Sequence, residues 1–202
     1  IQFFRDGTAA ALTFDGDVWM VRGLSGDLEA VRWRRFASGL HEPLSLVIRD
    51  GELFVFDRNG IWRLRDTNAD GEADVHELFA NAFGQTMALN EYSNTMKLAP
   101  DGSFVIAKKG LQNPTLGKMN GTVLRVSSDG RSSTVLGWGF RQPFIGVDPR
   151  TGLITASLEQ KLTNVIGAAT TFFSDSLNAV VRSQLTLFNG EGGQYACTLS
   201  SA

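Results

Sequence analysis

Short apolar runs punctuated by turn residues dominate the chain. Ala11 to Phe14, Leu44 to Ile48, Met96 to Pro100 and Phe144 to Val147 each lead into a turn and then into a second run rich in β-branched and aromatic residues. Aligning Asp15-Gly16-Asp17-Val18-Trp19, Asp50-Gly51-Glu52-Leu53-Phe54, Asp101-Gly102-Ser103-Phe104 and Thr151-Gly152-Leu153-Ile154 sets the glycines at spacings of 35, 51 and 50 residues. The pattern predicts one hairpin repeated four times. A second echo supports the period: Gly39-Leu40-His41-Glu42-Pro43-Leu44 returns 100 residues later as Gly139-Phe140-Arg141-Gln142-Pro143-Phe144.

Within one period, Leu44 to Ile48, Leu53 to Phe56, Ile61 to Leu64 and Val75 to Phe79 predict four strands, with Asn59-Gly60 as a type I′ hairpin turn. The next period offers Met96 to Leu98, Ser103 to Ala107, Gly121 to Val126 and Ser132 to Leu136. Four strands every 40 to 50 residues is the signature of a β-propeller blade. An all-β sandwich offers no reason for such a period. The expected fold is therefore all-β, a partial β-propeller of four-stranded antiparallel blades over residues 1–160. The blades fall at about 1–36, 37–80, 85–136 and 139–160, three to four blades of a larger ring. From Lys161 the repeat is lost, and 161–202 reads as a tail of uncertain structure.

Composition narrows the function classes. The 202 residues carry 43% hydrophobic and 20% charged side chains, enough to bury a core, and a net charge of −2 provides no global positive field for nucleic acid. No stretch approaches the ~18 apolar residues of a membrane span. The single cysteine, Cys197, excludes an internal disulfide framework and Cys-based metal sites. The opening Ile1-Gln2-Phe3-Phe4 has neither an initiator Met nor signal-peptide regions, so the chain reads as a fragment of something longer.

The clearest chemical motif is Asp66-Thr67-Asn68-Ala69-Asp70-Gly71-Glu72-Ala73-Asp74-Val75-His76-Glu77, which fits the twelve-residue calcium loop throughout. Asp66, Asn68 and Asp70 offer alternating side-chain oxygens, Gly71 the sharp turn, Glu72 a carbonyl, Asp74 a direct or water-mediated contact, and Glu77 two oxygens. Four carboxylates on one turn repel one another unless a divalent cation neutralises them. The plain alternative is a solvated Asx-rich turn. A helix–loop–helix sensor is disfavoured, because only Ile61 to Arg65 separate the Asn59-Gly60 turn from Asp66, too few for an entering helix. The loop is expected to join two blade strands as a calcium staple.

On the residues 36–44, 60–74 and 139–148, the chain resembles the six-bladed, TolB-like propellers of the glucose/sorbosone dehydrogenase type. The resemblance is strongest to exported members joined to c-type cytochrome modules, and it covers about residues 10–157. It implies a sugar substrate, a pyrroloquinoline quinone cofactor on the propeller axis, a histidine base, arginines on the quinone carboxylates, and a periplasmic or extracellular location. Arg141 matches the arginine of the family's Gly-x-Arg-Asn-Pro turn, with Gln142 in place of the asparagine; both become the expected cofactor contacts. Where relatives read His-Glu followed by an aromatic, this chain has Asn90-Glu91-Tyr92. Asparagine cannot take a proton near neutral pH, so no catalytic residue is assigned and the chain by itself is expected to be inactive. A non-catalytic binding scaffold is the alternative.

The remaining candidates read as structural. His41 and His76 are expected in turns or at the surface, Lys108-Lys109 as a solvated strand end, and Asn120-Gly121-Thr122 as a turn that also matches a glycosylation acceptor.

Overall fold

The computed structural model describes residues 1–86, 91–110, 118–138 and 140–156, together with the backbone of 157–159, 183–188 and 194–197. These residues form four consecutive four-stranded antiparallel sheets, each with its strands in sequence order. The first blade is β1 (Gln2–Phe3), β2 (Ala9–Leu12), β3 (Val18–Arg22) and β4 (Arg32–Ala37). The second is β5 (Ser45–Arg49), β6 (Glu52–Phe56), β7 (Ile61–Arg65) and β8 (Val75–Ala80). The third is β9 (Ser93–Leu98), β10 (Phe104–Lys108), β11 (Thr122–Val126) and β12 (Ser133–Trp138). The fourth is β13 (Pro143–Val147), β14 (Ile154–Glu159), β15 (Ser183–Phe188) and β16 (Gln194–Cys197). The propeller-blade architecture is thus present. Among the described residues no helix is long and apolar enough to cross a membrane.

The middle strands read as unbroken apolar runs because both their faces are covered. In β6, Leu53 and Val55 join Ala10, Val18 and Phe36 of the first blade, whereas Phe54 and Phe56 join Phe104 and Ile106 of the third. In β10 the other face, Val105 and Ala107, packs with Ile145, Ile154 and Ala156 of the fourth. Period-2 alternation therefore sends successive side chains into two different inter-blade cores. Full burial of one such side chain contributes about 1.5–3 kcal/mol. The first strands of successive blades lie side by side, β1 with β5, β5 with β9 and β9 with β13. Ser45 Oγ accepts from the Met96 amide at 3.0 Å, tying β5 to β9.

Strand direction fixes two faces. The turns between second and third strands and the links between blades lie on one face, here the top. The turns between first and second and between third and fourth strands lie on the other, the bottom. This corrects the repeat register in the first blade. Gly16 falls between β2 and β3, on the top, whereas Gly51 falls between β5 and β6, on the bottom. The residue matching Gly51 is Gly7, between β1 and β2, and the anomalous 35-residue spacing disappears. The type I′ turn is also relocated. Asp50 (φ 54°) and Gly51 (φ 82°) both take positive φ between the paired Arg49 and Glu52. At Asn59-Gly60 the Asp57 carboxylate instead accepts both amides, at 2.7 and 3.1 Å, and Asn59 needs no positive φ. Residues 183–188 and 194–197, which lie in the expected tail, supply the third and fourth strands of the last sheet.

Candidate functional site

Tyr92 stands just before β9 on the top face, where residues of the first three blades meet it and the link to the fourth lies alongside. Phe14, in the β2–β3 turn, meets its ring edge-on at 5.8 Å between centroids. The Arg58 guanidinium, from the β6–β7 turn, lies 4.4 Å from the ring centre, and Lys109 Nζ, just after β10, lies 5.5 Å from it. The Tyr92 carbonyl accepts from the Lys109 amide at 3.1 Å, and the Arg141 carbonyl of the link to the fourth blade accepts from the Gly110 amide at 3.0 Å. Cations over an aromatic face are stabilised by its quadrupole, so the tyrosine gathers positive charge from successive blades.

The cluster is electrostatically strained. Burial and, next, the positive charge of Arg141 hold Lys109 below the ordinary lysine range. Arg58 is buried and anchored: its Nε pairs with Glu42, and its NH1 reaches the Thr86 and Glu91 carbonyls at 3.4 and 3.3 Å. Among the described residues no carboxylate lies within 4 Å of the charged ends of Lys109 or Arg141. Two such neighbours favour an anionic group between them.

Below the cluster lies a buried polar layer. Glu91 is 0% exposed and accepts from Asn120 Nδ2. Lys108 is likewise 0% exposed, which overturns its reading as a solvated strand end. Its Nζ donates to the carbonyls of Phe83, Gly84 and Lys118 at 3.2, 2.9 and 2.6 Å. Burial lowers its pKa to about 8, with Glu91 opposing that shift. A lysine whose three donors are spent on three carbonyls fastens the 83–84 link to the 118–121 turn. Asn120 is buried as well, so the turn reading of Asn120-Gly121-Thr122 holds in this fold.

Arg141 is exposed and Gln142 half-buried, both on the top face. Asn90 lies outside the described residues. His41 and His76 are exposed; the His41 amide donates to Asp57 Oδ2 at 2.9 Å. Sequence reasoning missed Arg58, Tyr92 and Lys109 as a unit. The usable signal was that Asp57-Arg58-Asn59-Gly60 and Lys109-Gly110 both follow a blade's second strand and so reach the same face.

The 66–77 segment lies on the opposite, bottom face: 66–74 join β7 to β8, and 75–77 open β8. Asp66 accepts from the Asp70 and Gly71 amides at 3.2 and 2.7 Å, and Asp70 from the Glu72 amide at 2.9 Å, drawing Asp66, Asn68 and Asp70 together. Asp74 faces Thr67, whose hydroxyl and then amide hold its carboxyl below the usual range. Glu77 sits on β8 beside Arg63 and Arg65, at 3.7 and 3.6 Å, apart from the three leading ligands. The loop also clasps the first blade: the Ala73 amide donates to the Phe36 carbonyl at 2.6 Å. A Cβ on Gly71 would meet the Arg34 guanidinium at 2.7 Å. Among the described residues no three His, Cys, Asp or Glu side chains are gathered to hold a metal ion; Asp66, Asn68 and Asp70 offer hard oxygens, whereas Asp74 would have to leave Thr67 and Glu77 its arginines to join them.

Residues 8–141 match the family profile of DUF7133, a domain of unknown function. The chain belongs to the DUF7133 family. No curated protein matches it. Among solved structures, the DUF7133 chain is similar to the quinone (PQQ) domain of a pyranose dehydrogenase from Coprinopsis cinerea. The identity is 12% and the TM-score 0.62, with 94% of this chain and 49% of that one covered. It is also similar to an oxidoreductase from Thermus thermophilus described as a glucose dehydrogenase, at 16% identity and TM-score 0.57, covering 99% and 83%. A nidogen/laminin complex matches at 12% and 0.56, covering 94% and 61%. The chain thus spans about half to three-fifths of the length of two of these. Such identities show a shared propeller-type fold.

Proposed function

We propose that this DUF7133 chain is part of an exported, calcium-stapled quinoprotein dehydrogenase-like propeller. In its intact parent, a sugar or alcohol would be oxidised and electrons passed to a quinone or haem module. The observation that carries the reading is the cation cluster on the top face. Lys109 and Arg141 are close enough for Arg141 to depress the lysine, and Lys109 lies over a ring already flanked by Arg58. A polycarboxylate of the pyrroloquinoline quinone kind fits that charge. Arg141 and Lys109 would hold its carboxylates, with Gln142 as an additional donor, and Tyr92 supplies an aromatic surface. When bound, the quinone supplies the electron acceptor for hydride removal. The chain's own contribution is orientation and charge: Arg58, fixed by Glu42 and two carbonyls, keeps the tyrosine in place, and Lys108 ties down the loop segment beneath. The calcium staple rests on the convergence of Asp66, Asn68 and Asp70.

A second reading, a non-catalytic scaffold, is favoured by one observation. Asn90 stands where relatives carry the base, and the neighbouring Glu91 is wholly buried against Asn120. Supplying the purified chain with quinone, glucose and an artificial electron acceptor separates the possibilities. The expected result is a shifted quinone absorbance without turnover. Robust turnover would refute the inactive assignment, and no quinone binding would leave the scaffold.

A further inference from the structure

A groove on the bottom face, at the seam of the first two blades, carries a second recognition surface. It consists of two adjoining cavities of about 280 and 410 Å³ that share Met20, Phe36 and Asp66. Arg22, Arg32 and Arg34 form one wall of the larger cavity, with Asp66 and Asp70 opposite. Arg22 and Arg32 are register partners on β3 and β4, and Arg34 pairs with Met20. Like charges directly opposed on a sheet face are destabilising unless something neutralises them. Among the described residues no carboxylate stands within 4 Å of these three guanidinium groups. Arg32 spends one nitrogen on the Glu29 and Val31 carbonyls, at 2.8 and 3.0 Å, and Asp6 feels Arg22 only from farther away. Asp66 and Asp70 are turned to their own loop's amides.

We propose that this groove binds a short acidic oligosaccharide, a sugar chain bearing carboxylates. The planar forks of Arg22 and Arg34 suit a carboxylate. In the calcium-free loop the remaining lone pairs of Asp66 and Asp70 accept sugar hydroxyls, and Met20 and Phe36 give an apolar floor for the ring. A sulfate dianion satisfies the arginines but meets two carboxylates with no hydrogen to offer them. Two adjoining cavities match more than one sugar unit. The groove lies on the face opposite Tyr92, so the inference stands apart from the quinone reading; it shares Asp66 and Asp70 with the calcium reading, and the titrations are therefore run in calcium-free buffer and repeated with calcium.

The test is calorimetric titration of the purified chain with a trigalacturonate, with the neutral trisaccharide of the same linkage, and with inorganic sulfate. Saturable binding of the acidic sugar alone is expected, weakened about tenfold in Arg22→Gln and in Arg34→Gln. Both sites are exposed, and circular dichroism verifies that each variant folds. Equal affinity for the neutral sugar or for sulfate overturns the proposal. So does absence of binding, or binding indifferent to both variants.

Discussion

Lys108 shows how one residue can mislead a reader of sequence. Two consecutive lysines at a strand end read as a solvated, edge-blocking pair. Yet β10 is buried on both faces, so its last side chain has no outward direction, and the ammonium is met by three carbonyls. Its neighbour Lys109 emerges beside Tyr92. Alternation along the strand separates an anchor from a cluster member, and only the pleat reveals which is which. The Lys108→Met change leaves three carbonyls without their donor and is expected to destabilise the chain by about 1–3 kcal/mol at neutral pH in denaturant melts. The pH dependence has a definite sign. Because the folded-state pKa is lowered to about 8 from 10.5, the unfolded chain holds the extra proton between those values. This group's contribution therefore increases as pH rises through that window and is lost below it. The stability gap between wild type and Lys108→Met should widen from about pH 8 to about pH 10.5; a constant gap would show that the group does not titrate there.

The second and third blades were legible because their strands are rich in Phe, Val, Ile and Leu and closed by Asp-Gly turns. The first blade was harder to read. Its β2 is Ala9 to Leu12, too small-chained to stand out, and Asp15-Gly16 imitates the Asp-Gly turn of the opposite face. In the fourth, β15 begins 24 residues after β14 ends, which broke the period. The loop 66–77 was recognisable as a ligand pattern, but its docking on the first blade was not, since that depends on Phe36 and Arg34 arriving from another sheet. One calcium is expected per chain by calorimetry, abolished in the Asp66→Ala, Asp70→Ala double variant. Calcium should also slow hydrogen exchange in the loop and at the Ala73–Phe36 contact. A Glu77→Gln variant that binds unchanged would show that Glu77 stays with Arg63 and Arg65; undiminished binding in the double variant would remove the site.

At the scale of the whole molecule, each inner blade shares a core with both of its neighbours, whereas among the described residues the first blade shares one with the second blade alone. Its other face carries Phe3 and Trp33, 65% and 59% exposed, at the two ends of a register line whose middle members, Ala9 and Val21, are buried. Exposed apolar sheet faces promote association. The purified chain is expected to self-associate with concentration in analytical ultracentrifugation, and Trp33→Arg to shift it toward monomer; a monomer at all concentrations would contradict this.

The cation cluster draws Phe14, Arg58, Tyr92, Lys109 and Arg141 from three blades and the link to the fourth, so it exists only when the blades are assembled. Its role is tested most directly by titrating the chain with pyrroloquinoline quinone in a calorimeter, beside Lys109→Gln and Arg141→Gln. Saturable binding is expected for the wild type, with each variant weakened about tenfold and the double variant more, as loss of charge-assisted contacts requires. Equal affinity in all four proteins, or none in the wild type, would contradict it.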